Sequence, residues 1–246
     1  MTGSLYTRAQ VISDPAPQVI TRWLSAGWRD FTANLTFSLG YGMALVALGW
    51  IALGGLWLSG LGWVMLPLIA GAVLVGPLAT IGLYSVASGQ AKRRVASGQI
   101  ALVGAILMVF ALTWIRAATV LFAIVYGLRP FSGFSETLIM MLSTPSGWAL
   151  LGAGSLIGGL FAVLGFAISA FSLPMLMDRK IDGFSAMGLS FNATTHNLRL
   201  CMCWGGVITG LTVLGVLTGL LGLVVVFPLL GYATWHAYAE LFHKEA

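Results

Sequence analysis

The sequence predicts an all-α membrane protein that crosses the bilayer six times, and three observations predict it. Apolar runs occupy about 35–58, 63–84, 100–126, 147–171, 200–218 and 223–238. Each is close to the ~20 residues a helix needs to cross ~30 Å of hydrocarbon. Apolar residues make up 59% of the chain and charged residues 8%, with a mean hydropathy of +0.96. A soluble domain carries about 25% charged residues, so lipid must solvate much of this surface. The basic residues are also one-sided. Arg8, Arg22 and Arg29 precede the first run, Lys92, Arg93 and Arg94 follow the second, Arg179, Lys180 and Arg199 follow the fourth, and Lys244 follows the sixth. Arg129 stands alone on the other side, and Arg116 lies inside the third run. The positive-inside rule then places both termini in the cytoplasm, N-in and C-in.

The same distribution argues against a nucleic-acid partner. Net charge is +5 and pI about 9.6, but the bases are spread over four segments rather than clustered on one face. Orienting the helices and meeting anionic headgroups accounts for them.

Taken in order, residues 1–18 read as a flexible cytoplasmic tail. They contain Asp14, Pro15 and Pro17 and no apolar core of signal-peptide length, so the first span is expected to drive insertion. Residues 19–246 read as one six-helix membrane domain. Over 19–31, Ile20, Trp23, Leu24, Trp28 and Phe31 share a helical stripe, with Arg22, Arg29 and Asp30 off it. That pattern predicts an amphipathic helix lying in the headgroup plane before span one. A similar segment, 183–196, precedes span five, with Phe184, Met187, Phe191 and Thr194 on one stripe. These two amphipathic segments align through Trp28/Phe191, Thr32/Thr195 and Asn34-Leu35/Asn197-Leu198, and further on through Tyr41-Gly42/Trp204-Gly205. Pro77-Leu78 likewise matches Pro228-Leu229, and Tyr84 matches Trp235. These matches predict a degenerate repeat of interfacial helix plus helical hairpin.

Several features have bland and sharp readings. Glycine numbers 32, and the Gly154/Gly158, Gly206/Gly210 and Gly215/Gly219 pairs present smooth faces for helix packing, within the bundle or against a partner. The 219–222 stretch is the expected turn between spans five and six. Pro77 and Pro228 are expected helix-kink positions. Broken helices can also frame a transport site. Cys201 and Cys203 number too few for a disulfide framework, and residues i and i+2 point about 200° apart on a helix, which disfavours a shared metal.

Arg116 is the candidate intramembrane functional residue. Charge in hydrocarbon is costly and usually kept for a reason. With no Asp or Glu in any span, its partner is a carbonyl, a hydroxyl, a lipid phosphate, a ligand anion or another subunit. His236, Glu240 and His243 form a candidate cytoplasmic polar face, since positions i, i+4 and i+7 share one side of a helix. Metal ligation is one use of such a face. A wet helix end with dipole-favoured histidines is the simpler one. No catalytic motif is present: there is no Gly-x-Ser-x-Gly, His-Glu-x-x-His or Gly-x-x-x-x-Gly-Lys. The expectation is therefore no enzyme activity, no cofactor and no metal.

The segments Trp28-Arg-Asp-Phe31, Ser38-Leu-Gly-Tyr-Gly42, Leu66-Pro-Leu-Ile-Ala-Gly71, Val75-Gly-Pro77, Gly82-Leu-Tyr84, Ser169-Ala-Phe-Ser-Leu-Pro-Met-Leu-Met-Asp-Arg179 and Gly231-Tyr-Ala-Thr-Trp-His-Ala-Tyr238 carry a resemblance. Together they resemble domain-of-unknown-function family 2189, a group of bacterial integral membrane proteins. The resemblance implies a multi-pass protein of the bacterial inner membrane and supplies no catalytic residues. Members sometimes bear the label cytochrome c oxidase subunit I, which fails here on chemistry. Such a subunit holds haem iron and copper on several intramembrane histidines, and this chain has three histidines, none central in an apolar run. Two function classes stay open. One is a non-catalytic accessory, scaffold or assembly subunit, packed against a larger membrane complex or self-associating through its glycine faces. The other is a small transporter or channel for an anionic or small polar substrate, using Arg116 and the kinks.

Overall fold

The computed structural model describes residues 9–61, 65, 68–69, 76–88, 97–127 and 134–243. Among the described residues 87% are helical and there is no strand. The helices are α1 (Ala16–Ala33), α2 (Leu35–Leu58), a 3-10 turn (Gly76–Thr80) running into α3 (Ile81–Ala87), α4 (Ser97–Tyr126), α5 (Phe134–Ser143), α6 (Pro145–Ser169), α7 (Ser172–Asp178), α8 (Gly183–His196), α9 (Leu198–Leu217) and α10 (Leu223–Phe242). Four helical stretches are long and apolar enough to cross a membrane: Leu35–Leu58, Gly98–Tyr126, Pro145–Asp178 and Leu198–Leu217. Of the expected second span, 63–84, most lies outside the described residues, and Gly76–Ala87 is a shorter apolar helix. The sixth run does form a 20-residue helix, α10. Its last two turns carry the polar side chains His236 and Glu240.

The chain divides into two compact units, the first built from the described parts of Met1–Gly49, Pro77–Gly104 and Phe166–Ala246, the second from those of Trp50–Gly76 and Ala105–Gly165. In the first, α10 is the central element: Leu230, Tyr232, Ala233, Trp235, Ala237, Tyr238, Leu241 and Phe242 are all buried. Helix α1 lies along it. Val19, Ile20, Trp23, Gly27 and Phe31 form its buried stripe, and the two backbones are so close that a Cβ on Gly27 would sit 2.8 Å from Ala233 N. The amphipathicity of 19–31 is therefore used against α10, while Trp28, on the edge of the expected stripe, is 49% exposed. Phe31, Leu83 and Tyr232 join α1, α3 and α10 in one apolar cluster. Trp23 meets Trp204 of α9 edge-on at 5.5 Å.

Two helix breaks in this unit have the same geometry. Asn34 separates α1 from α2 with φ −120°, ψ 43°, and Asn197 separates α8 from α9 with φ −117°, ψ 39°. At each, the amide Nδ2 donates back to the carbonyl four residues earlier, Asp30 at 3.1 Å and Ala193 at 3.2 Å. Asparagine suits such a break because its short amide offers the chain local hydrogen bonds that compete with the helical ladder. Helix α8 starts cleanly because Asp182 accepts from the Ser185 N–H at 2.9 Å, an ordinary N-cap. The link between α9 and α10 is the expected turn at 219–222, where Gly219 has φ +68° and Leu220 φ +70°.

In the second unit α4 and α6 meet through large side chains over glycines. Phe110 and Phe161 pack edge-to-face at 5.9 Å, and the Trp114 ring covers Gly158, where a Cβ would come within 2.8 Å of it. Helix α5 ends at Ser143, and the Thr144 hydroxyl accepts from the Gly147 N–H at 3.0 Å to start α6.

Candidate functional site

The polar groups of the first unit gather at the C-terminal end of α10. His236 and Glu240 lie on successive turns of one face and point to α1. His236 Nε2 pairs with Asp30 Oδ2 at 2.8 Å, each side chain 30% exposed. Glu240 divides its two oxygens: Oε1 accepts from Arg22 Nη2 at 2.7 Å, and Oε2 from the Trp23 indole N–H at 2.8 Å. Arg22 continues outward to Asp14 at 2.9 Å. His243 turns the other way. It shares the Asp178 carboxylate with the Tyr238 hydroxyl, both at 2.8 Å, and Arg179 Nε stands 3.6 Å from the same oxygen. Arg179 also donates to the Phe242 carbonyl at 2.7 Å, over whose ring its guanidinium lies at 5.8 Å.

The expected cytoplasmic face is thus split between two neighbours, and each member faces its own carboxylate or base. Such pairs at part-exposed sites are worth little in stability, but they fix the rotation of α10 against α1 and α7. Among the described residues no three His, Cys, Asp or Glu side chains are placed to hold a metal ion. No hydroxyl or thiol nucleophile bonds to either histidine among the described residues.

Pro228 lies inside α10 and is buried. Lacking an N–H, it leaves the Val224 carbonyl, four residues earlier, without its helical donor. Gly42 of α2 packs onto that carbonyl: a Cβ there would lie 2.2 Å from Val224 O. A Cα–H contact to a bare carbonyl is a weak but recurring helix-packing device. Pro77 sits in the 3-10 turn, where the Thr80 hydroxyl donates to the Pro77 carbonyl and the Tyr41 hydroxyl donates to the Ala79 carbonyl, both at 2.7 Å. At Pro228, then, backbone of the same unit covers the disturbed carbonyl, and at the 3-10 turn hydroxyls of the same unit bond the carbonyls of Pro77 and Ala79.

Arg116 belongs to the second unit. It lies 19 residues beyond the start of α4, about 29 Å along a helix rising 1.5 Å per residue. It is exposed, and among the described residues no carboxylate, hydroxyl or carbonyl pairs with it. The one orphaned polar atom near it on the same helix, among the described residues, is the buried Trp114 Nε1.

Sequence reasoning missed Asp30, Asp178 and Trp23 as partners. The His236–Asp30 pair spans 206 residues and the His243–Asp178 pair 65, and no local periodicity links positions so distant. It also missed the N-terminal strap. The Asn197 amide holds the chain at Gln10 and Ile12, a contact across 185 residues or more.

These helices, apolar outside and closed by polar pairs at one end, define a multi-pass α-helical integral membrane protein. Residues 65–178 match the model of the family described as predicted integral membrane protein (DUF2189), the family that the motifs at 66–71, 75–77, 82–84 and 169–179 resemble. The motifs at 28–31, 38–42 and 231–238 lie outside the matched stretch. No curated protein and no solved structure matches the chain.

Proposed function

We propose that this protein is a non-catalytic, six-span component of the bacterial inner membrane, with both termini in the cytoplasm, that serves as an accessory, scaffold or assembly subunit of a larger membrane complex. One observation carries the reading. Met202, Gly206, Gly210, Val213 and Leu217 form an exposed stripe along α9, and a Cβ on either glycine would meet nothing within 4 Å. The stripe is open at its small residues, which in lipid is the signature of a face kept for close helix approach. The polar groups at the end of α10, by contrast, are used up within the chain. The test is affinity isolation from native membranes in mild detergent. A stoichiometric larger partner that is lost with Gly206→Leu, while the variant keeps its helicity and melting temperature, supports the reading. A monodisperse wild-type monomer with no partner overturns it.

A transporter or channel for an anionic or small polar substrate is the second reading. The exposed Arg116, which has no partner among the described residues, favours it. Its planar fork binds anions bidentately, which Lys cannot reproduce. Anion-dependent flux in proteoliposomes that both Arg116→Lys and Arg116→Leu abolish would establish this reading. Flux or partner recovery unchanged in both variants removes Arg116 from consideration.

Within either reading, α1 and α8 lie at the cytoplasmic headgroups. Support comes from their outward aromatics: Trp28 is 49%, Phe184 66% and Phe191 44% exposed, with the bases Arg29 and Arg199 close by in the chain. Aromatic rings beside bases suit the interface. Spin labels at positions 28 and 191 in anionic-lipid nanodiscs should report headgroup depth. Free collision with an aqueous quencher at both sites would sink this placement.

A further inference from the structure

The segment before α1 is held by main-chain contacts that its surroundings do not need. Gln10 donates its N–H to the Leu241 carbonyl at 2.9 Å and its side-chain amide to the Glu240 carbonyl. The Gln10 carbonyl accepts from Asn197 Nδ2 at 3.1 Å, and the Ile12 N–H donates to Asn197 Oδ1 at 2.9 Å. Asp14 then pairs with Arg22. Residues 10–14 thus run as a strap from the end of α10 across the α8–α9 break to the start of α1. Val11, between the two clamped residues, is 64% exposed and Ile12 is half-buried, so the strap is held chiefly through its backbone.

The unit contains its own control. Asn34 makes the same break, with the same torsions and the same amide-to-carbonyl bond, and no strap covers it: Asn34 is exposed, and among the described residues only Asp30 bonds to its amide. Asn197, under the strap, is 6% exposed. The strap is therefore not required for the break. Nor is it required for the packing of α1 on α10. If Asp14 leaves, Arg22 keeps Glu240, Trp23 keeps its bond to Glu240, and His236 keeps Asp30.

We propose that residues 10–14 form a releasable latch whose opening uncovers the Asn197 amide and the carbonyls of Glu240 and Leu241 at the end of α10. A few hydrogen bonds, those to Asn197 only part-buried, and one surface ion pair hold it, so it belongs to the low-stability end of the molecule. The uncovered groups can receive an extended main chain of another polypeptide in place of the strap. This rests on the geometry of the first unit alone and is independent of the accessory-subunit reading.

Two measurements on the full-length protein in nanodiscs test it. In amide hydrogen exchange, the Ile12 N–H is expected to exchange orders of magnitude faster than the Asn197 N–H, which bonds Ala193 within the break. Equal protection of both would overturn the latch. For distances, spin labels go at Val11 and at the exposed Thr195. Wild type is expected to give a narrow principal distance. Ile12→Pro combined with Asp14→Asn removes the N–H that Asn197 accepts and the charge that Arg22 binds. It should convert the distance to a broad distribution while the melting temperature and helicity stay at wild-type values. Asp14→Asn alone, which leaves the backbone untouched, should broaden it partially. A narrow distance in the double variant overturns the proposal. So does a release accompanied by loss of the fold, because the strap would then be an integral part of the unit.

Discussion

Helices α1 and α2 around Asn34, and α8 and α9 around Asn197, are two solutions to one local problem. Position by position they agree. Thr32 bonds back to the carbonyls of Trp28 and Arg29, and Thr195 to those of Phe191 and Asn192. Ser38 and Cys201, four residues past each break, are both fully buried. The environments differ. The first pair packs on α10 by backbone approach at Gly27 and Gly42. The second packs on the α6–α7 junction through a serine: at Ser190, the counterpart of Gly27, the hydroxyl donates to Ala167 O at 2.8 Å and accepts from Phe171 N at 3.2 Å. The break itself is a local property of asparagine and its neighbours. What each copy rests against is a tertiary property and sets which substitutions it tolerates.

The largest expected effect breaks the symmetry at Gly42 and Gly205, which occupy equivalent positions. A Cβ at Gly42 meets the Val224 carbonyl carbon and oxygen at 2.7 and 2.2 Å, backbone atoms that cannot rotate away, whereas at Gly205 the nearest atom is a Phe166 ring carbon at 3.9 Å. Gly42→Ala should cost about 3 kcal/mol or more, at the upper end of overpacking penalties. Gly205→Ala should change stability by less than about 1 kcal/mol, since alanine is the better helix former. Unfolding in SDS–detergent mixed micelles measures both. Similar losses from the two substitutions would mean that α2 does not lie on the Pro228 kink as described.

Next comes Ser190→Ala. It strips a buried bridge and leaves the Phe171 N–H and the Ala167 carbonyl facing apolar surroundings. Leaving a buried donor unsatisfied costs about 1–3 kcal/mol, and the same unfolding assay should show it. A neutral result would mean that the α6–α7 junction closes its own hydrogen bonds.

What was legible in the sequence follows the same division. The helix starting at 35, the apolar helices among the described residues, the 219–222 turn and the proline positions were readable because periodicity, glycine and proline act within a few residues, whereas the asparagines were readable only as matched positions and not as the cause of the breaks. The aromatic stripe of 19–31 was readable as a stripe but not by its target. Trp23, placed among the interfacial residues, is 1% exposed and packs inside, because an amphipathic pattern specifies a buried face and is silent on whether lipid or protein buries it. The His236, Glu240 and His243 face was readable as a spacing. Its division between Asp30, Arg22 and Asp178 was not, because the partners come from distant helices. Gly42 was aligned with Gly205 by sequence, yet only the carbonyl bared by Pro228 separates their roles.

The smallest effect distinguishes the two asparagines directly. Asn→Asp keeps the side chain's size and an acceptor oxygen but removes the Nδ2 donor. At Asn34 the exposed site loses one bond, to the Asp30 carbonyl, and water replaces it. A negative charge at the start of α2 also meets the positive end of the helix dipole, which offsets part of the loss by roughly 0.3–1 kcal/mol. Asn34→Asp should therefore lie within about 0.5 kcal/mol of wild type, as surface substitutions usually do. At Asn197 the same change removes two bonds, to Ala193 O and Gln10 O, and sets a carboxylate against two carbonyls in a site closed by the strap. Asn197→Asp should cost about 1–2 kcal/mol more than its counterpart. The sign of its pH dependence follows. Below about pH 4 the new carboxyl carries a proton and can donate to a carbonyl again, so the excess cost of Asn197→Asp should shrink as pH falls, while Asn34→Asp stays nearly flat. Equal penalties at pH 7, or an Asn197→Asp penalty that does not change on acidification, would show that the strap contributes nothing to the difference between the two breaks.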